Sequence, residues 1–263
     1  MAVHLQPVEG AINENGCLHF LKDYMPYSFQ GDIGLYMDEE NFKSFYGNVD
    51  GQITRTSLFG HIITTIASDP TGPTLWLDIG TWNGRGTTSC ILDGFYMANC
   101  IPMSKKEKDS QKEKKCLTVE LHPFMYNIAQ ENLKGHPAFS QIQFAQAKIS
   151  GPGGEAHIMH PPKGETCMHY KLHYETDMAL WKAAETLVFP FEPEAVILDG
   201  GEYTGYADWF FLPKGSLKYV FLDDSAITKN AKVRQELLES SEWTLLQENL
   251  KDRNGWSVFT KNT

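Results

Sequence analysis

The chain has 263 residues, 41% of them hydrophobic, and a formal net charge of −10, which suits one α/β domain with a full core and argues against a nucleic-acid backbone as partner, since that affinity comes from clustered Lys and Arg. No apolar run approaches the roughly 18 residues needed to span a bilayer, and the N-terminal MAVHLQPVEG has neither a basic start nor an apolar stretch. The five cysteines, Cys17, Cys90, Cys100, Cys116 and Cys167, are scattered without a C-x-x-C pair, so we expect a cytoplasmic protein without membrane insertion, disulfide framework or zinc knuckle.

Residues 1–50, with Tyr24, Tyr27, Phe29, Tyr36, Phe42, Phe45 and Tyr46, read as an N-terminal extension that covers a cleft or makes a homodimer contact, ahead of a domain over residues 51–263. The most informative stretch is TLWLDIGTWNGRGTTS, residues 74–89. Leu75, Trp76, Leu77 and Ile79 suit a strand covered on both faces, and helical spacing resumes from Thr87. Between them Gly80, Gly84 and Gly86 allow positive φ and close approach of a ligand to the backbone, while the free amides of the following helix face the turn. The glycine spacing fits neither G-x-G-x-x-G nor a P-loop, which also lacks its lysine here. A turn with no ligand is the plain structural alternative.

Residues 104–115, SKKEKDSQKEKK, are almost wholly charged and read as a mobile surface loop. CLTVEL (residues 116–121) predicts a second strand, and residues 122–133 a helix with Pro123 in its first turn. Residues 142–147 predict a third strand. A long irregular stretch, residues 151–175, then exceeds an ordinary α/β connection. Residues 195–198 and 217–222 predict buried strands, tipped by Asp199 and by Asp223 and Asp224. A helix is predicted near residues 228–240. The turn signal Asp252-Arg253-Asn254-Gly255 between two strand-like runs predicts a closing hairpin.

An acid two residues before the first glycine, then a spaced second glycine, resembles motif I of the class I S-adenosylmethionine-dependent methyltransferases. Asp78, Gly80, Trp82, Asn83 and Gly84 carry the likeness, and D-I-G-T-W-N-G-R-G looks most like the small-molecule and sugar O-methyltransferases. The resemblance covers about residues 52–261. It implies a Rossmann-like fold: a mostly parallel seven-stranded sheet, helices on both faces, and a C-terminal antiparallel hairpin. It implies S-adenosylmethionine held by Asp78, Gly80, Thr81, Trp82, Asn83, Gly84 and Glu120. A carboxylate at the end of the second strand accepts hydrogen bonds from ribose hydroxyls. Asp78 either organises the turn or approaches the methionine end.

Asp199, Asp223 and Asp224, from adjacent strand ends, would repel one another unless a cation or protons intervene. A hard divalent ion such as Mg²⁺ is the simple solution, and in the resembling sugar O-methyltransferases an Asp-Gly motif and a later Asp-Asp pair hold such a metal. A turn role for Asp199 and a helix cap at Asp224 or Ser225 is the structural alternative. The family's usual Asp-Gly-Asp is broken by Gly201. Glu202 is the next acid, and with Asp199 and His173 it is a candidate catalytic residue, Glu202 or His173 as base, with Tyr203 and Tyr206 shaping an acceptor pocket. His157, His160, His169 and His173 invite a zinc reading, but no helical pair with cysteines supports it. Met168, Tyr170, Tyr174, Met178 and Trp181 wall an acceptor site or simply pack a helix. The expected activity is O-methylation of a small acceptor, a sugar or glycan hydroxyl foremost. A catechol-like phenol acceptor, an NAD-dependent oxidoreductase and a non-catalytic methyltransferase-like binding module are the alternatives.

Overall fold

The computed structural model describes residues 53–100, 112–161, 168–252 and 254–262, with side chains on the helix that opens at Met168 described from residue 174. The N-terminal extension and the charged run at residues 101–111 lie outside the described residues. The elements in chain order are α1 (Leu58–Ser68), β1 (Leu75–Ile79), α2 (Thr87–Cys100), β2 (Lys115–Val119), α3 (Pro123–Leu133), β3 (Ile142–Ala145), α4 (Met168–Ala183), β4 (Ala195–Leu198), α5 (Gly205–Phe211), β5 (Tyr219–Asp223), α6 (Ala231–Glu239), β6 (Trp243–Asn249) and β7 (Trp256–Lys261).

The strands form one sheet in the order β3-β2-β1-β4-β5-β7-β6. β1 to β5 are parallel, and β7 runs antiparallel to both β5 and β6, as expected for the mixed sheet with a closing hairpin. From β1 the chain moves outward to β2 and β3, then returns to β4 on the other side. The carboxyl ends of β1 and β4 therefore flank the switch point, where open α/β sheets bind ligands.

Period-two alternation explains why these short apolar runs become strands. Trp76, Cys116, Ala195, Ile197 and Phe221 face α1 and α2, packing with Phe59, Ile63, Ile91 and Phe95. Leu77, Ile79, Leu117, Val119, Val196, Leu198, Val220 and Leu222 face the other way, onto Trp209, Val233 and Leu237. Burial on both faces removes the polar positions that a half-exposed strand would show. In β1 and β2 the buried polar exceptions are Asp78 and Thr118, paired across the two strands on the α1/α2 face.

Two boundaries differ from expectation. The charged run does not extend as a loop to residue 115: Lys115 opens β2, and Lys114 is buried, its Nζ donating to the Pro73 carbonyl at 2.9 Å. A long aliphatic stem can be buried if its ammonium finds an acceptor, and burial pushes the Lys114 pKa down to about 8. Nor is the stretch 151–175 irregular to its end, because α4 begins at Met168. Tyr174, Met178 and Trp181, spaced four and three apart, pack against Ile158, Tyr203 and Ala207, a helical stripe disguised by the surrounding polar residues.

The carboxyl ends of β4 and β5 are tied by Asn230, whose Nδ2 donates to the Leu198 carbonyl at 2.9 Å and the Asp223 carbonyl at 2.7 Å. The loop after β5 is tied in turn to the hairpin, through Ser225 N to Gly255 O and Ala226 N to Asn254 O. Asn230→Ala removes a buried donor shared by two carbonyls and should cost about 1 to 3 kcal/mol. An unchanged urea midpoint would show that water replaces the amide without loss.

Candidate functional site

The glycine turn is held from below by Asp78. Its buried carboxylate accepts hydrogen bonds from Thr87 Oγ1 at 2.9 Å, Thr88 Oγ1 at 2.5 Å and Thr118 Oγ1 at 3.1 Å. Burial pushes the carboxyl up to about 6 against these three donors. Of its two expected roles, this geometry is the turn-organising one, clamping the start of α2 to β1 and β2. Thr81 and Asn83 also point inward. Thr81 Oγ1 lies against Thr118 Oγ1, while Asn83 Oδ1 accepts from Arg85 N and its carbonyl from Asn132 Nδ2.

Glu120 and Trp82 meet at the carboxyl edge of the sheet. The Trp82 amide donates to Glu120 Oε2 at 2.8 Å, and the His122 amide donates to Oε1 at 2.8 Å. Burial pushes the Glu120 carboxyl up to about 7, against those backbone donors. Trp82 is 41% exposed and sits at φ 52. Among the described residues, the non-glycine residues with positive φ are Trp82, after β1, and Asp224, after β5, both on the carboxyl edge. Uncommon backbone of this kind concentrates at functional sites.

Gly80 is where the neighbouring strand comes closest to the turn. At φ +95, a Cβ there would lie 2.1 Å from the Asp199 carbonyl and 2.8 Å from the Gly200 amide. The glycine thus sets how closely β1 and β4 meet at the switch point. Gly84, at φ +78, is likewise crowded by Leu133 of α3.

On the other side of the switch point Asp199, Asp223 and Asp224 converge as expected, with ligand atoms within 4.8 Å of one another. A residue missed in the sequence sits among them. Lys229 Nζ lies 2.6 Å from Asp199 Oδ1 and 3.1 Å from Asp224 Oδ2, with its side chain 7% exposed. Burial works against the ammonium, but Asp199, Asp224 and Asp223 more than offset it, raising the lysine above its ordinary pKa. Burial pushes Asp199 up, against the pull of Lys229. The signal was a lysine five residues past Asp224 in an acidic chain. The three carboxylates suit a hard ion by charge and span, yet one oxygen each of Asp199 and Asp224 already holds the ammonium, so an ion there would compete with Lys229.

Asp177 and Asp208 complete the acidic wall, and neither was a sequence candidate. Asp177 Oδ2 accepts from the Tyr203 amide at 2.9 Å and would lie 2.8 Å from a Cβ at residue 201. Gly201, where the family pattern puts a second acid, is therefore glycine because a carboxylate from α4 fills that space. Burial pushes Asp177 up to about 6 and Asp208 up to about 8. Glu202 is half-buried beside them, raised by burial with Lys229 opposing. Tyr203 packs in the core edge-on to Tyr174, and the Tyr206 hydroxyl donates to Glu236 Oε1 at 2.6 Å, so both expected pocket tyrosines are engaged in packing. His157 stacks on Phe210 and His160 leans on Tyr174. Met168, Tyr170, His169 and His173 belong to the backbone of α4, with side chains outside the described residues.

The sheet order, with its antiparallel seventh strand, is that of the class I methyltransferase fold. No protein-family model matches the chain, and no curated protein matches it in sequence. Solved structures similar to it include an SAH-bound methyltransferase, PaMTH1, of Podospora anserina (15% identity, 90% of this chain and 91% of that one, TM-score 0.47). Others are the O-methyltransferase TomG of Streptomyces achromogenes, involved in tomaymycin synthesis and solved with SAM (12%, 86% and 96%, TM-score 0.44), and a Bacillus cereus O-methyltransferase in complex with SAH (9%, 77% and 80%, TM-score 0.44). At these identities and TM-scores the likeness assigns neither activity nor substrate, and the fold class rests on the strand order.

Gly201→Ala places a methyl against the Asp177 carboxylate and should destabilise by about 1 to 3 kcal/mol. Removing the clash with Asp177→Ala in the same chain should recover part of that loss, measured as a double-mutant cycle in urea. Additive losses would mean that the two positions do not meet.

Proposed function

We propose that the protein is an S-adenosylmethionine-dependent O-methyltransferase acting on a small acceptor, with a sugar or glycan hydroxyl the favoured target. The observation that carries the donor half is the Glu120 carboxylate, held at the carboxyl end of β2 by the Trp82 amide of the glycine turn. A carboxylate has about four acceptor sites, more than the neighbouring amides fill, so it can also accept from vicinal ribose hydroxyls. Beside it the exposed Trp82 indole offers a flat apolar face for a purine.

Bound S-adenosylmethionine would supply a methyl group already activated on a sulfonium. The chain must hold an acceptor oxygen in line, worth about 7 to 11 kcal/mol in favourable cases, and take its proton. The carboxylates across the switch point from Glu120 suit that second task. Burial raises Glu202 above its ordinary value and Asp177 to about 6, towards the pH at which a general base works best. Asp199 stands at the end of β4, hydrogen-bonded to Lys229, and His173 of α4 remains the alternative base. An acceptor of several hydroxyls matches a wall of carboxylates that can each accept a hydrogen bond, which supports a sugar over an apolar phenol. The convergence of Asp199, Asp223 and Asp224 supports assistance by a divalent ion, and the Lys229 ammonium between two of them opposes it.

Calorimetry with S-adenosylhomocysteine and with NAD tests the donor, and turnover on a panel of glycosides and phenols tests the acceptor. NAD binding without S-adenosylhomocysteine binding would overturn the proposal. Binding with no turnover on any acceptor would leave a non-catalytic module. Glu120→Gln should weaken S-adenosylhomocysteine about 10- to 100-fold, the loss of a charge-assisted hydrogen bond.

The pH dependence has a definite sign. Folding raises the Glu120 pKa from 4.5 to about 7, so its contribution to stability falls as pH climbs through that window. The ionised form is the better acceptor, so S-adenosylhomocysteine affinity should rise from about pH 6 to about pH 8 in the native chain and stay flat in Glu120→Gln. Parallel profiles would take Glu120 out of the contact.

A further inference from the structure

We infer that Lys229 is a built-in cation: its ammonium takes the place a divalent ion would fill among Asp199, Asp223 and Asp224, so the cleft holds its carboxylates together without a bound metal. Three observations carry this. First, Nζ lies 2.6 Å from Asp199 Oδ1 and 3.1 Å from Asp224 Oδ2, bridging the ends of β4 and β5 as an ion shared by the two acids would. An ion bound about 2 Å from the same oxygens would sit in contact with the ammonium, two cations competing for one pair of ligands.

Second, the lysine is built in and not loosely draped. Its side chain is 7% exposed, and its carbonyl oxygen lies 2.6 Å from the position a Cβ would take on Gly205, at the start of α5. The next residue, Asn230, is pinned to both strand ends by its amide. Vacating the site would take a buried charge away from its partners and disturb a backbone seated on two elements.

Third, the acids demand a cation. Asp199, Asp223 and Asp224 bring carboxylate oxygens within 4.8 Å of one another, a crowding of like charge that calls for a cation or protons. Lys229 is thus a positioning residue. Its ammonium bridges Asp199 and Asp224, within hydrogen-bond distance of both.

The test is uptake of Mn²⁺ by the full chain, followed by electron paramagnetic resonance, with thermal unfolding of the same samples. The native protein should take up no Mn²⁺ at the trio, and neither Mn²⁺ nor EDTA should move its Tm. Lys229→Met opens the position and should bind a single Mn²⁺, raising Tm by about 2 °C or more. Adding Asp224→Asn should abolish that gain. Lys229→Arg, which keeps the charge, should behave as the native chain.

Mn²⁺ uptake by the native protein that is lost in Asp199→Asn overturns the inference, as does a folded Lys229→Met that gains no ion. If Lys229→Met does not fold, the comparison of native and Asp199→Asn chains decides alone. The inference concerns the same cleft as the proposed activity but not the methyl donor. S-adenosylhomocysteine calorimetry on these samples therefore separates failure of the donor reading from failure here.

Discussion

Carboxylates removed from water must be given donors or a cation, or they keep their protons. The carboxyl edge of this sheet is organised by that demand. Asp78 is met by three threonine hydroxyls, Glu120 by backbone amides, and Asp177 by the Tyr203 amide. Asp199 and Asp224 share Lys229. Burial pushes the Asp208 carboxyl up to about 8. Each solution fixes a piece of backbone, and together the pieces make the cleft: the turn after β1, the end of β2, the loop after β4 and the loop after β5.

Two contacts set the width of that cleft. Gly80 lets the backbone of β4 come against β1, and Gly201 lets the Asp177 carboxylate come against the loop after β4. In both places the absence of a side chain admits protein. The glycine turn is thereby a device for bringing strands together at the switch point.

The sheet could be read from the chain because strands buried on both faces leave short apolar runs such as LWLDI and AVIL, and acids at their ends declare which edge they reach. Asp78, Glu120 and the aspartate trio were legible for that reason. Asp177 was not, and Lys229 only in part, because the bonds that place them reach Tyr203, 26 positions away, and Asp199, 30 positions away, as well as the nearby Asp224. No local spacing encodes such distances. Lys114 was lost in a run of charge, since a buried lysine and a solvated one look alike until the acceptor carbonyl is placed. α4 was half hidden because its histidines and polar residues mask the stripe of Tyr174, Met178 and Trp181. Tyr203 and Tyr206 look like pocket aromatics in sequence, yet the first packs in the core and the second is tied to Glu236.

β7 lies between β5 and β6, although it is the last of the seven strands to be made. During synthesis β5 therefore emerges with one edge unpaired, and its following loop, which carries Asp224, lacks the Gly255 and Asn254 carbonyls that hold Ser225 and Ala226. The half bearing Trp82 and Glu120 is built from β1, β2 and α3, and β1 and β2 pair only with each other, β3 and β4. The acidic half of the cleft is thus backed by the last residues of the chain, through the ties from 225 and 226 to 254 and 255, while the strand pairing beneath Glu120 uses earlier ones.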